Sequence, residues 1–322
     1  IGKMPLTKSS SYKPSLLFRN GHINTTYASK FRKVFGVNYD RERIDTPDGD
    51  FLDVDCLING SDKVAILCHG FEGNSRRVYM RGMVRALTGA GYDAVAMNYR
   101  GCSGEPNRLL RSYHAGATDD LHTVVSHVHA SKKYEEIYLI GFSMGGNLVL
   151  KYLGEKLFPV IASVKRVATI STPCDLASSV TVLDSFSRSI YTRRFLRFLH
   201  KKITDKMKMF PGELDDEDYK KIKTLRAFDD RYSYLNGFED ADDYYKKASS
   251  KQFISGIRKK TLLINAKDDP FLHVNCYPVV EARKSKFLYL EMPNHGGHMG
   301  FVTRSSDGLY WYENRTLDFF ES

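Results

Sequence analysis

The pentapeptide Gly141-Phe142-Ser143-Met144-Gly145 constrains the fold of this 322-residue chain more than any other feature, because of what flanks it. Ile137-Tyr-Leu-Ile140, just before it, is apolar and partly β-branched, the composition of a buried strand. Asn147 to Lys156, just after it, carries apolar residues at helical spacing. The serine therefore stands at a strand-to-helix turn, where glycines on either side let the backbone bend sharply and hold a side chain out in a strained position. The string alone turns up by chance in roughly one chain in ten of this length. Its setting gives it weight.

Around that turn the chain alternates. Arg43 to Ile58 reads as two strands joined at Pro47-Asp48-Gly49, a hairpin signal. Val64 to Cys68 is a continuous apolar run, which predicts a strand covered on both faces. Further strands are predicted at Tyr92–Asn98, Arg166–Ser171, Thr261–Asn265 and Phe287–Glu291, and helices at Val78–Gly89, Asp119–Lys132 and Asp307–Phe320. Strands alternating with helices imply βαβ units and a mostly parallel sheet. From Cys174 to Ser250 the rhythm breaks: no good strand, but helical patterns, many aromatics and dense charge. There Phe195, Leu199 and Ile203 fall at i, i+4 and i+8, one apolar stripe. The predicted organisation is an irregular N-terminal arm over residues 1–40, an α/β core over 41–173 and 251–322, and a helical cap inserted at 174–250. An elaborated crossover of the core is the alternative reading of that insertion.

Composition narrows the function classes. A hydrophobic content of 42% is ordinary for a soluble globule. No run of 18 apolar residues occurs, so no membrane span is predicted, and the first ten residues lack the apolar core of a signal peptide. Five cysteines (Cys56, Cys68, Cys102, Cys174 and Cys276) are odd in number and never spaced as a metal site, which predicts a reduced, cytoplasmic setting and no metal. The net charge of +10 suggests nucleic acid until its distribution is read. Between Arg188 and Lys208 eight basic residues face only Asp205, so this segment alone carries +7, and no nucleic-acid motif accompanies it. It reads as a solvated helix face, with an anionic ligand or a membrane surface as the alternative contact.

A serine hydroxyl needs a base to attack, usually a histidine that is itself oriented by a carboxylate. In hydrolases with this kind of turn the order is serine, acid, histidine, the last two following late strands. Strand Thr261–Asn265 runs into Ala266-Lys-Asp-Asp-Pro270, and strand Phe287–Glu291 into Met292-Pro-Asn-His-Gly-Gly-His298. Adjacent aspartates point different ways, so one reaches the histidine. Asp269 is preferred, because Ala266 takes the place of the small turn residue before the acid; Asp268 remains the alternative. His298 is preferred for the loop that Gly296-Gly297 would free, with His295 as the alternative. The backbone N–H groups of Phe71, in the turn His69-Gly70-Phe71-Glu72-Gly73, and of Met144 are the candidate oxyanion donors. Asn98 to Gly104 leaves a strand's carboxyl end and so should face the site. His114 and Asp119 stand at HxxxxD spacing, which reads as structural.

These pieces together resemble the YheT-type subfamily of α/β-hydrolases, which is also similar to plant embryogenesis-associated hydrolases and mammalian α/β-hydrolase-domain lipases. The resemblance rests on Asn20-Gly-His-Ile-Asn-Thr25, HGFEGNS (69–75), NYRGCSG (98–104), YHAGATDDL (113–121), GFSMGGN (141–147), the phrase Phe228-Asp-Asp with Gly237-Phe and Asp243-Tyr-Tyr, NAKDDPF (265–271) and HGGHMGF (295–301). It spans about residues 16 to 320. It implies an α/β-hydrolase fold with a mostly parallel central sheet, flanking helices and a helical cap. It further implies a carboxylic-ester hydrolase with Ser143, Asp269 and His298 as triad, no cofactor, and a small-molecule ester or lipid-like substrate. Tyr113-His-Ala departs from the usual Tyr-His-Ser; no triad position departs. Acyl transfer to an alcohol through the same acyl-enzyme and a non-catalytic binding protein on this scaffold are the competing readings.

Overall fold

The computed structural model describes residues 10–131, 133–185, 189–303 and 305–322. The chain opens with helix α1 (Gly21–Phe31) and then a hairpin of β1 (Asp40–Asp45) and β2 (Phe51–Leu57). β3 (Lys63–Cys68), α2 (Val78–Gly89), β4 (Asp93–Asn98), α3 (Thr118–Ala130), β5 (Glu136–Phe142), α4 (Met144–Gly154) and β6 (Val164–Ile170) alternate after it. Four helices follow, with no strand between them among the described residues: α5 (Leu176–Leu183), α6 (Ser189–Met209), α7 (Leu225–Tyr232) and α8 (Ala241–Ala248). β7 (Lys260–Ile264), α9 (Val279–Lys284), β8 (Leu288–Glu291) and α10 (Trp311–Glu321) complete the chain.

The strands form one eight-stranded sheet in the order β1-β2-β4-β3-β5-β6-β7-β8. β1 and β2 pair antiparallel, as do β2 and β4; every other neighbouring pair is parallel. Parallel strands feeding crossover helices are covered on both faces, which explains their continuous apolar runs. In β3, Val64, Ile66 and Cys68 pack with α3 and α4 on one side, while Ala65 and Leu67 pack with α2 and α10 on the other. β5 divides the same way, Ile137 and Leu139 against Tyr138 and Ile140. Because β3, β5, β6, β7 and β8 run in one direction, the turns after them gather at one edge of the sheet.

The first 40 residues are not irregular throughout. The Asn20 side chain accepts the Ile23 N–H at 3.1 Å and caps α1. At its far end Arg32 grips the Glu313 carboxylate with two hydrogen bonds of 2.7 Å, both groups buried, which ties α1 to α10. α10 starts at Trp311 rather than Asp307, where Glu313 accepts the Tyr310 N–H at 2.8 Å. The predicted ending of α3 at Lys132 and the basic residue Arg188 lie outside the described residues.

In α6 the stripe is as read: Leu199 and Ile203 are buried and Phe195 half-buried. The basic run is not one solvated face, however. Arg193, Arg194, Arg197 and Lys201 are exposed, but Lys202 and Lys206 turn inward, on the side of Leu199 and Ile203. Lys206 donates to the Asn107 carbonyl at 3.0 Å, and burial pushes its amine down to about 8.

Candidate active site

Ser143 directly follows β5 with φ 52° and ψ −120°, a positive-φ conformation that costs a non-glycine residue energy and persists only when its surroundings enforce it. Its N–H bonds to the Ile170 carbonyl at 2.9 Å, and its carbonyl accepts the Gly146 N–H at 2.8 Å. The flanking glycines permit the bend by close backbone approach. A Cβ on Gly141 would run into the Gly145 carbonyl, and one on Gly145 into the Cys68 and His69 carbonyls. Helix α4 thus starts directly after the serine, three residues earlier than its periodicity indicates, and presses against the end of β3.

The loops after β7 and β8 bring two further side chains to that serine. His298 Nε2 lies 2.9 Å from Ser143 Oγ, and His298 Nδ1 lies 2.9 Å from Asp269 Oδ2 and 3.1 Å from Oδ1. A carboxylate accepts only, so Nδ1 carries the hydrogen and Nε2 presents its lone pair to the hydroxyl. All three residues are buried. Asp269 is steadied by the Phe271 N–H at 2.9 Å, and the Phe271 ring lies 4.2 Å from the imidazole. The two alternatives, Asp268 and His295, find each other instead, His295 Nδ1 3.6 Å from Asp268 Oδ2. Asp268 Oδ1 accepts the Gly297 N–H at 2.9 Å, and burial holds its carboxyl above the ordinary value.

The turn after β3 accounts for nearly all its backbone polar groups. Tyr99 donates to the His69 carbonyl at 2.9 Å, the Gly70 N–H reaches Tyr79 at 2.9 Å, and the Gly73 N–H closes the turn onto Gly70 at 2.9 Å. The Glu72 N–H goes to Tyr113 at 3.1 Å and its carbonyl accepts from Arg77 at 2.7 Å. Among the described residues no acceptor takes the Phe71 N–H. Met144 is the first residue of α4, so its N–H has no intrahelical acceptor. Neither N–H group has a protein acceptor among the described residues.

Thr25 on α1 is a contributor that motif reading passed over. Its hydroxyl accepts the His298 N–H at 2.8 Å, and Asn24 Oδ1 accepts the Val302 N–H at 3.1 Å. The phrase Asn20 to Thr25 carried the signal, without a role attached. Of Asn98 to Gly104, Tyr99 supports the turn after β3, but Asn98 and Arg100 are held elsewhere. Arg100 is buried against Asp120 at 2.6 Å and Asp50 at 3.0 Å, and Asn98 bonds to Asp55 at 3.0 Å, so this segment ties the hairpin to the core. His114 and Asp119 take separate partners, the Gly116 N–H and Arg111.

A cavity of about 400 Å³ opens over Ser143, Phe71 and His298. Its far wall comes from the four-helix segment, with Leu176, Val180, Leu183, Phe195 and Leu225, and Arg76, Arg77 and Arg194 also line it. Among the described residues no cluster of histidine, cysteine and carboxylate side chains could hold a metal ion.

Comparison with known proteins shows what the chain as a whole is similar to. Residues 64–305 match the family described as alpha/beta hydrolase fold. YheT of Escherichia coli (strain K12) is 32% identical over 97% of this chain and 93% of its own. Phospholipase ABHD3 of Homo sapiens is 30% identical over 96% of this chain and 77% of its own. The esterase Pf2001 of Pyrococcus furiosus superposes with a TM-score of 0.58 at 19% identity, covering 90% of this chain and 97% of that one, a likeness of fold.

Proposed function

Because the chain belongs to the α/β-hydrolase fold family, in its YheT-type subfamily, we propose that its hydrolysis of carboxylic esters runs through a covalent acyl-enzyme on Ser143. One observation carries this reading: the unbroken line of hydrogen bonds from Asp269 through His298 to Ser143 Oγ, beside two uncommitted backbone N–H groups. His298 Nε2 takes the hydroxyl proton as Oγ bonds to the ester carbonyl carbon. The oxygen that gains charge is held by the Phe71 and Met144 N–H groups, and losing one such donor typically removes about 3 kcal/mol of transition-state stabilisation. Collapse breaks the bond to the alcohol, which leaves with the proton from His298. Water, deprotonated by His298, then attacks the acyl carbon, and the acid departs as Ser143 recovers its proton. Asp269 stays ionised throughout and keeps the imidazole in one tautomer.

In this reading residues 174–250 are the cap, and its apolar wall receives the acyl chain. Arg76, Arg77 and Arg194 line the same cavity, and among the described residues none of them pairs with a carboxylate. Burial, with Arg77 and Arg197 nearby, holds Arg194 below its ordinary value, so an anion there would relieve repulsion. An amphiphilic ester that carries an acidic group fits both features. No helix among the described residues is long and apolar enough to cross a membrane, and five cysteines that are buried and form no disulfide support a cytoplasmic setting.

Replacing Ser143 by alanine tests the reading. Turnover of p-nitrophenyl butyrate is expected to fall by a factor of about 10⁴ or more; a variant retaining a tenth of the rate contradicts it.

A further inference from the structure

Glu72 is an odd residue to find beside an oxyanion donor. It is buried, carries a negative charge, and stands at φ 51°, a conformation that favours glycine. Its backbone is committed on both sides, to Tyr113 and to Arg77, so the peptide that follows Phe71 is anchored through this one residue. What holds the side chain comes partly from elsewhere. Tyr113 donates to Glu72 Oε1 at 2.5 Å, and Lys202 of α6 reaches the same oxygen at 3.2 Å. Lys202 also lies over the Tyr113 ring, 4.4 Å from its centroid, and donates to Cys102 Sγ at 2.9 Å. The ammonium thus sits among a carboxylate, a ring face and a sulfur, with most of its side chain covered. A buried charge pair of this kind contributes little to net stability, and it fixes geometry when every partner is satisfied.

We propose that Lys202 is a positioning residue for the oxyanion hole: by holding the Glu72 carboxylate against Tyr113, it fixes the turn that aims the Phe71 N–H, so the cap supplies part of the hole's support. This rests on the acyl-enzyme reading above. The apolar contact of Phe195 on the Phe71 ring, 5.1 Å between centroids, is a second contact of α6 with the same turn. Among the described residues Lys202 is the cap cation that pairs with a carboxylate of this turn. Displacing the donor by a fraction of an ångström weakens an interaction made only in the transition state, and leaves ground-state binding of the ester largely as it was.

Lys202→Met tests this. On p-nitrophenyl butyrate kcat is expected to fall about tenfold or more with KM changed less than twofold. Inhibition by butylboronic acid, whose tetrahedral adduct on Ser143 places an oxygen in the hole, weakens by a similar factor. Lys202→Arg, which keeps the charge, recovers part of the loss. A kcat within twofold of wild type, or a loss in kcat with boronate inhibition unchanged, overturns the proposal. If Lys202→Met does not fold by circular dichroism, Glu72→Gln decides by the same criteria, since it keeps the shape and removes the charge that Lys202 holds. Ser143→Ala separates the two levels. If Ser143→Ala is inert and Lys202→Met normal, only the positioning role fails; an active Ser143→Ala removes the acyl-enzyme reading and this inference with it.

Discussion

Thr25 anchors the backbone of His298: the hydroxyl accepts the histidine N–H at 2.8 Å while donating to the Gly21 carbonyl at 2.7 Å. The N-terminal helix therefore takes part in placing His298. Thr25→Val keeps the volume and removes the acceptor, leaving a buried N–H without a partner. A loss of about 1–3 kcal/mol is expected in urea unfolding, together with a lower kcat as the imidazole loses its seat. Unchanged stability would show that the loop holds itself.

The neighbouring aspartates separate cleanly. Asp269 meets His298 Nδ1, whereas Asp268 props the Gly297 N–H and faces His295. Asp269→Asn offers the imidazole an amide and favours the wrong tautomer, so kcat should fall by about 10⁴. Asp268→Asn should reduce kcat far less and register mainly in thermal unfolding. Equal losses in the two variants would mean that the loop, and not the carboxylate, controls the rate.

Gly145 is a packing constraint. A methyl group there would meet the carbonyls of Cys68 and His69, which are backbone and cannot rotate away. Gly145→Ala is expected to destabilise the fold by about 1–3 kcal/mol, the range for overpacking. It should also depress turnover by pushing α4 and the Met144 N–H off the sheet. Chemical unfolding and kcat measured on the same preparation check both.

Acid should weaken the fold through His69. Burial pushes its imidazole down to about 3 while Nδ1 bonds to the Gly70 carbonyl at 2.8 Å and Nε2 accepts the Tyr99 N–H at 3.3 Å. Between the ordinary value near 6.5 and about 3, the unfolded chain binds a proton that the folded chain refuses. Stability from this group is full above that window and is lost as pH falls through it. Unfolding free energy should drop by on the order of 2 kcal/mol more in wild type than in His69→Gln between pH 6.5 and 5. Parallel pH dependence in the two proteins would contradict the assignment.

Much of the sheet was legible because each buried strand is a short aliphatic run with turn residues at its end. Val64–Cys68 and Thr261–Asn265 needed no partner to be recognised. Choosing Asp269 and His298 needed more than spacing, since their competitors Asp268 and His295 lie one and three residues away on the same loops. Their directions are set by the Gly297 N–H, which joins the two loops, and by the floor that Thr25 provides from the other end of the chain. Lys202 was hidden for a similar reason. It stands in a basic run, and only the face it shares with Leu199 and Ile203 turns it toward Glu72. The expectation for Asn98 to Gly104 held only in part: Tyr99 reaches the turn after β3, whereas Arg100 is held by Asp50 and Asp120. Long-range charge pairing leaves no local pattern to read.

The central claim is that Ser143 carries the acyl group. Wild-type protein treated with a fluorophosphonate should gain one adduct mass, with the modification on the peptide that contains Ser143, and His298→Ala should label slowly or not at all. No adduct on wild type, or an adduct on another residue, would contradict the account.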